Sequence, residues 1–430
     1  MKNNLSKHIV IIGGGFGGLN AAISLAKAGV KITLIDKRNF HLFQPLLYQV
    51  ASGGLSPADI AFPLRVVFKN KNNVSIIQGE VTDIDLDKKY VSLIERRISF
   101  DYLIVAAGSQ IHYYGNDQWR HSAIGLKYIE DATKIRNNIL NAFEQAEIEN
   151  DIAKKSSLLT FAIIGGGPAG VEMAGAIAEL ANRTLHCDFR NIDPTKARII
   201  LIEGGSRILP VYPTELSIKA EDSLKKLGVE IIKNHFVKNI ENGKIFLESN
   251  NQSVIISSLT IIWAAGVKAN SLSEIIKGIN NILLDRSGRI VVDNYCRIIN
   301  YKNVFAIGDI ASFNVNGSQT LPGVAPVAIQ QGKFVAEYII NDINGFTNQS
   351  FKYFEKGNLA VIGRKAAVAF RGKIKFSGLI AWLVWLFVHL LYLVGFQNRV
   401  LVSIQWAFNY FSLNKSARLI ANSIDSDNKN

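Results

Sequence analysis

Runs of apolar and β-branched residues, with little polar alternation, mark the strand-like stretches of this chain. Ile9 to Ile12, Lys31 to Asp36, Asp101 to Gly108, Phe161 to Ile164, Arg198 to Glu203, Leu259 to Gly266 and Asn303 to Asp309 each hold such a run. They read as buried strands. Leu19 to Ala28 and Tyr128 to Glu149 read as helices. In the second, Ile129, Ala132, Ile135, Ile139, Ala142, Phe143 and Ala146 recur at helical spacing. Val74 to Asp85, Tyr90 to Leu93 and Ile98 to Phe100 read as short strands of a β-meander. Lys225 to Ile232 closes a second sheet. Asn150 to Ser157 is polar and reads as a linker. Asn182 to Lys196, with Pro194, reads as an inserted loop.

Two of these strands run into glycine-rich turns. After Ile12, Gly13, Gly15 and Gly18 fit G-x-G-x-x-G ahead of a helix. Such a loop sets backbone N–H groups and a helix N-terminus against a pyrophosphate. The first glycine allows the tight turn, the second admits the phosphate, and the third lets helix and strand pack closely. The next strand ends in Asp36, where a carboxylate accepts adenosine ribose hydroxyls. The same unit recurs at Gly165, Gly167 and Gly170, with Glu203 ending the following strand. An acid at that strand end bonds the free 2′-hydroxyl of NADH and repels a 2′-phosphate, so NADH is expected over NADPH. Arg207, close by, keeps residual NADPH use open.

A chain with two such units is expected to hold two dinucleotides, FAD and NAD(P)H, for electron transfer between them. A strand ending in Gly308-Asp309 assigns the flavin to the first loop: the glycine removes a Cβ near the cofactor, and the aspartate accepts a ribitol hydroxyl. Ala107-Gly108 and Ala265-Gly266 end two further strands in small residues, which let a cofactor lie close to the backbone. These two strands mark the crossings of the chain between domains. The expected fold is α/β, with two Rossmann-like dinucleotide-binding domains, the NADH domain inserted into a discontinuous FAD domain.

Composition narrows the function. The 430 residues are 48% hydrophobic and 19% charged, enough for two or three domains. The two cysteines, Cys187 and Cys296, provide no disulfide framework, no C-x-x-C pair and no four-thiolate cluster, and no metal site is expected. The start, MKNNLSKHIV, has no apolar stretch ahead of the first strand, so a cleavable signal is not expected. The net charge is +13. No basic run is interleaved with aromatics, which argues against nucleic acid. Instead Arg364, Lys365, Arg371, Lys373 and Lys375 precede the uncharged, apolar segment 376–398, which suits an anionic membrane surface. Its 23 residues are long enough to span a bilayer. Trp382, Trp385 and Tyr392 suit an interface. Spanning the membrane and lying on it both stay open on these residues alone. His389, within the segment, reads as a core or interface histidine.

Gly13 to Gly18, the HLFQPLLYQVA stretch from His41 to Ala51, Tyr102 to Gly108, Gly165 to Gly175, Trp263 to Val267 and Val304 to Asp309 together resemble the type II NADH dehydrogenases. These are single-subunit NADH:quinone oxidoreductases among the disulfide-reductase-like flavoproteins. HLFQPLLYQVA is far more specific than either glycine loop. The resemblance implies that NADH gives a hydride to N5 of a tightly bound FAD, and that two electrons pass to a membrane quinone without proton pumping. It adds Phe16, Lys37 and Gln44 to the FAD contacts. It sets Glu172 beside nicotinamide and flavin, as a catalytic residue. It puts Ala325, Pro326 and Val327 at a helix N-terminus aimed at the flavin pyrimidine ring, with Gln330 and Gln331 on the quinone side. The usual form of that motif has Ala-Gln where Ala325-Pro326 stand, so the glutamine often given a quinone role is missing. The implied protein is a homodimer, peripheral on the cytoplasmic side of the cell inner membrane. The implied division is 1–115 and 268–345 for FAD, 116–267 for NADH, and a C-terminal helical membrane-association region, 346–430. A sulfide:quinone oxidoreductase shares this outline but needs paired redox cysteines. A non-catalytic NADH-sensing membrane protein would not need both loops intact.

Overall fold

The strand His8–Ile12 lies at the centre of a five-stranded parallel sheet. The order is Val304–Ala306, Tyr102–Val105, His8–Ile12, Lys31–Asp36, Val74–Gln78. Ile9, Val10 and Ile11 are wholly buried, as a run without polar alternation requires. The order turns back at His8–Ile12, which opens a crevice at the carboxyl end of that strand. The Gly13 loop leaves from there. A second sheet repeats the plan: Ala123–Gly125, Thr260–Trp263, Thr160–Ile164, Arg198–Ile202, Val229–Ile232, again all parallel. The Gly165 loop leaves its central strand.

This computed structural model describes residues 7–249, 252–280, 282–315, 319–412 and 417–420. The chain forms two units. The first comprises Met1–Leu42, Ala61–Gln110 and Val267–Lys356, and the second Phe43–Ile60, Ile111–Gly266 and Gly357–Asn430. The crossings fall at 110/111 and 266/267, just past the two strands that end in small residues. In the first unit the helix Phe16–Leu25 packs against Ala325–Asn344 so closely that a Cβ on Gly332 would stand 2.3 Å from the Gly17 carbonyl oxygen. In the second unit, the antiparallel strands Phe236–Glu241, Lys244–Ser249 and Gln252–Ser257 pack Ile240, Ile245 and Leu247 into a core with Trp119 and Trp263.

Several stretches differ from expectation. Val74–Gln78 is the edge strand of the first parallel sheet, Ile35 pairing with Ile77. The meander is Asp83–Asp85, Tyr90–Leu93 and Arg96–Ser99. The expected linker 150–157 contains the helix Ile152–Leu158, because the Asp151 carboxylate caps it, accepting from the Lys154 N–H at 2.7 Å. Segment 43–60 joins the second unit. Its helix Leu47–Ala51 buries Tyr48 and Val50 against the helices Ile129–Ile148 and Pro168–Glu179. The insertion 182–196 is ordered: a π-turn, Leu180–Thr184, extends the Pro168–Glu179 helix, and Phe189 stacks on Phe143 at 6.0 Å. The apolar C-terminal segment forms two helices, Gly378–Tyr392 and Phe396–Ser412, separated at Gly395 with φ +87°. Among the described residues no helix is long and apolar enough to cross a membrane.

The Pro168–Glu179 helix also lies on the strand Asn358–Gly363, through Gly175. A Cβ there would stand 1.7 Å from the Ile362 carbonyl oxygen, so strand and helix would have to part. Gly175→Ala is expected to cost about 3 kcal/mol or more. Gly278→Ala, where a Cβ meets nothing within 4 Å, is expected to stabilise its helix by about 0.5–1 kcal/mol. Thermal midpoints of the two variants check both signs.

Candidate active site

Gly13 takes φ +104°, and a Cβ on it would stand 2.3 Å from the Ala106 carbonyl oxygen. A Cβ on Gly18 would stand 1.9 Å from the Gly13 oxygen. Neither position admits another residue. Gly15 differs, since a Cβ there meets no protein atom within 4 Å. The loop is thus closed where strand and helix meet and open where a pyrophosphate would lie. Asp36 holds it from the side, accepting from the Gly14 N–H at 2.6 Å and the Arg38 N–H at 2.7 Å. A carboxylate has lone pairs beyond these two for ribose hydroxyls. Burial raises the Asp36 pKa against the pull of those N–H groups. His41 is buried. Its Nδ1 lies 2.9 Å from the Gly14 oxygen, and its ring meets Phe16 edge-on at 5.0 Å. Lys37 pairs with Glu80 at 2.6 Å. Gln44 opens the short turn Gln44–Leu46 in the second unit.

Gly108 and Gly308 take φ of +71° and +72°. Asp309 accepts from the Ser109 hydroxyl at 2.7 Å, so the two strand ends meet at one carboxylate. Pro326 lies in the first turn of the Ala325–Asn344 helix, where its missing N–H costs nothing. Ala325 begins that helix, and Val327 is buried. The two glutamines diverge. Gln331 is buried and its Oε1 accepts from the Gly308 N–H at 2.7 Å. Gln330 brackets Phe354, donating to its carbonyl and accepting from its N–H, both at 3.0 Å.

The second loop repeats the first. Gly165 has φ +110°, a Cβ on Gly170 would stand 1.9 Å from the Gly165 oxygen, and Gly167 is open. Glu203 accepts from the Gly166 N–H at 2.7 Å and the Gly205 N–H at 2.6 Å. Arg207 is tied elsewhere, to the Pro210 and Tyr212 carbonyls and the Thr214 hydroxyl. Its guanidinium is therefore engaged rather than waiting for a 2′-phosphate. At Ala265-Gly266, the Tyr114 hydroxyl donates to the Ala265 carbonyl at 2.7 Å.

Glu172, on the first turns of the Pro168–Glu179 helix, faces a cavity of about 380 Å³ inside the second unit. Tyr48, Gln49, Trp385 and Trp406 also line it. The residue is half-buried, and its carboxyl takes a long 3.4 Å contact from the Val361 N–H. Burial pushes its pKa up to about 8, so it is mostly protonated at neutral pH. Tyr48, Tyr212, Glu179, Arg183 and Arg364 are the other ionisable groups around it. His389 stacks on Trp385 at 4.3 Å, and burial lowers its pKa to about 4. Sequence reasoning missed Tyr48, Gln49, Trp385 and Trp406 as a group. Tyr48 and Gln49 stood in the HLFQPLLYQVA signature, but nothing local tied them to tryptophans more than 300 positions away.

Cys296 is buried, which raises its thiol pKa, and Cys187 is exposed in the insertion. Among the described residues no cluster of His, Cys, Asp and Glu could hold a metal ion.

Residues 7–332 match the pyridine nucleotide-disulphide oxidoreductase family, and 356–412 match the NDH2 C-terminal domain. The chain is 44% identical over 412 residues to a type II NADH:quinone oxidoreductase of Mycobacterium tuberculosis, covering 94% of this chain and 88% of that one. Its fold is similar to the solved NDH2 of Plasmodium falciparum in complex with NADH, with TM-score 0.88, 22% identity, and 97% and 100% of the two chains covered. The sulfide:quinone oxidoreductase of Aquifex aeolicus is also similar in fold, with TM-score 0.71, 20% identity, and 97% and 93% covered. Fold alone therefore does not separate these chemistries.

The Glu172 pKa has a consequence for stability. Raised from 4.5 to about 8, the carboxyl keeps in the folded state a proton that the unfolded chain releases. Stability is then lost as pH rises between those values, by at most about 1.4 kcal/mol per unit. Glu172→Gln is expected to remove this loss. Thermal midpoints at pH 5 and pH 8.5 check it, the variant gaining on the parent at the higher pH.

Proposed function

The chain belongs to the type II NADH:quinone oxidoreductase family, and we propose that it oxidises NADH and reduces a membrane quinone, with FAD as its tightly bound flavin. The observation that carries this is the cavity at Glu172. One helix of its wall starts at the NADH loop, and two others are the apolar C-terminal helices. Nucleotide chemistry and a lipid-soluble substrate are served by one stretch of structure.

Bound FAD supplies a ring that takes a hydride at N5 and gives up two electrons. Gly13, Gly15, Phe16 and Gly18 hold its pyrophosphate, and Asp36 its adenosine ribose, with Lys37 nearby. Asp309, steadied by Ser109, takes a ribityl hydroxyl. Ala107, Gly108 and Gly308 keep the backbone low beside it. Ala325, Pro326 and Val327 open a helix whose N-terminal dipole favours negative charge on the ring. Gln331 fixes Gly308, and Gln330 fixes the segment at Phe354, so both act by positioning.

Gly165, Gly167 and Gly170 hold the NADH pyrophosphate, Glu203 the 2′-hydroxyl, and Ala265-Gly266 leave room for the nicotinamide. A quinone takes up two protons with its two electrons. Glu172, a carboxyl still protonated at neutral pH, supplies one of them. Quinone reduction is expected to slow above about pH 8, as Glu172 loses its proton.

Leu379, Ile380, Leu383, Phe387 and Leu391 on one C-terminal helix, and Leu401, Ile404 and Phe408 on the next, are exposed. Laid on a bilayer, with Lys373 beside anionic headgroups, they form a peripheral anchor. The seat is the cytoplasmic face of the inner membrane, and the assembly is a homodimer, which sedimentation in detergent tests.

The function is tested without oxygen. NADH is expected to bleach the bound flavin, and a quinone to restore its colour. Bleaching by sulfide and not by NADH would overturn the reading. Glu203→Gln is expected to narrow the preference for NADH over NADPH about tenfold, measured as kcat/KM.

A further inference from the structure

Three polar side chains in the second unit form a chain whose direction is fixed by chemistry. Trp406 Nε1 lies 2.7 Å from Gln49 Oε1, and Gln49 Nε2 lies 3.0 Å from the Tyr48 hydroxyl. An indole nitrogen can only donate. The Gln49 atom facing Trp406 must therefore be its carbonyl oxygen, which settles the amide orientation. The amide NH₂ then faces Tyr48, and the tyrosine oxygen must accept. Its own proton has to point elsewhere. Tyr48 is 7% exposed. It lines the 380 Å³ cavity, and no described residue accepts its proton.

A second buried donor lies in the cavity wall, shut off from the cavity's space. Trp385 is 2% exposed, its indole Nε1 has no hydrogen-bond partner, and it lines the same walls. A buried donor without an acceptor is costly. The tyrosine proton, turned away from Gln49 in the cavity wall, calls for a ligand that brings an acceptor. The walls are otherwise mainly apolar, and the volume falls in the range of small-molecule sites. A quinone head group matches: a flat apolar ring with two carbonyl oxygens, both acceptors, and no donor on the ring.

We infer that the Tyr48 hydroxyl is a hydrogen-bond donor to a carbonyl oxygen of the quinone, and that Trp406 and Gln49 are positioning residues that aim the tyrosine proton. This rests on the quinone reductase reading and adds a partner of the head group to it. The tyrosine donates a hydrogen bond only. The protons taken up on reduction come from elsewhere, Glu172 among them.

The test uses the flavin-loaded protein in detergent with a short-chain benzoquinone. Tyr48→Phe removes the donor and keeps the ring. It is expected to lower kcat/KM for the quinone about tenfold, chiefly through KM. Flavin bleaching by NADH and turnover with ferricyanide, which needs no such donors, are expected to stay as in the parent. Gln49→Glu keeps an acceptor for Trp406 but offers Tyr48 a second acceptor in place of the NH₂. It is expected to reproduce the Tyr48→Phe loss and to add nothing to it in the double variant.

A readout on the parent protein does not depend on how the variants fold. The infrared carbonyl stretch of bound ¹³C-carbonyl-labelled quinone is expected below its value in hexane. Unshifted carbonyls, or a Tyr48→Phe variant with parental quinone kcat/KM, would overturn the inference. If the parent is bleached by NADH but no quinone restores the flavin, the quinone reductase reading itself fails, which is a separate result.

Discussion

Closeness of backbone to backbone is the constraint on which the rest of this structure depends. At Gly18 and again at Gly170, a side-chain carbon would stand 1.9 Å from the carbonyl oxygen of the loop's first glycine. At Gly332 and Gly175 it would stand 2.3 and 1.7 Å from a backbone oxygen of a neighbouring element. Only a residue without Cβ lets helix, strand and loop close to these distances. The closure keeps the N–H groups at each loop converging on one small volume. It also seats the Pro168–Glu179 helix on the strand Asn358–Gly363, which positions Glu172 at its cavity.

The glycine positions are also where the sequence was easiest to read. Both loops, the acids Asp36 and Glu203 that end the next strands 18 and 33 positions past the third glycine, and the Gly308-Asp309 strand end are local patterns, and the structure puts each at the carboxyl end of a parallel strand. The parallel strands themselves were legible because a strand buried on both faces cannot alternate. Edges were harder. Val74–Gln78 pairs on one side only and has exposed positions, so it looked like a strand of the meander. The helix Ile152–Leu158 depends on one capping carboxylate and only Leu158 is buried, which leaves little apolar periodicity to detect.

The cavity was the least legible part. Its walls come from segments near residues 48, 172, 362, 385 and 406, and no spacing rule links positions so far apart. What the sequence held was half of each pair: a signature containing Tyr48 and Gln49, and an apolar tail containing Trp385 and Trp406. The adjacent glutamines Gln330 and Gln331 show the converse. They looked alike in sequence, yet a helical turn of about 100° per residue sends one to Gly308 and the other to Phe354.

Trp406 sits on a helix with Leu401, Ile404 and Phe408 exposed, and its indole holds the Gln49 amide at 2.7 Å. An amide flip exchanges donor for acceptor without moving any atom far. The orientation of one buried phenol therefore answers to the seat of a surface helix. A displacement of about an ångström would break that single bond while leaving both parallel sheets intact. The exposed apolar face of this helix is thus wired to the interior by polarity rather than by shape.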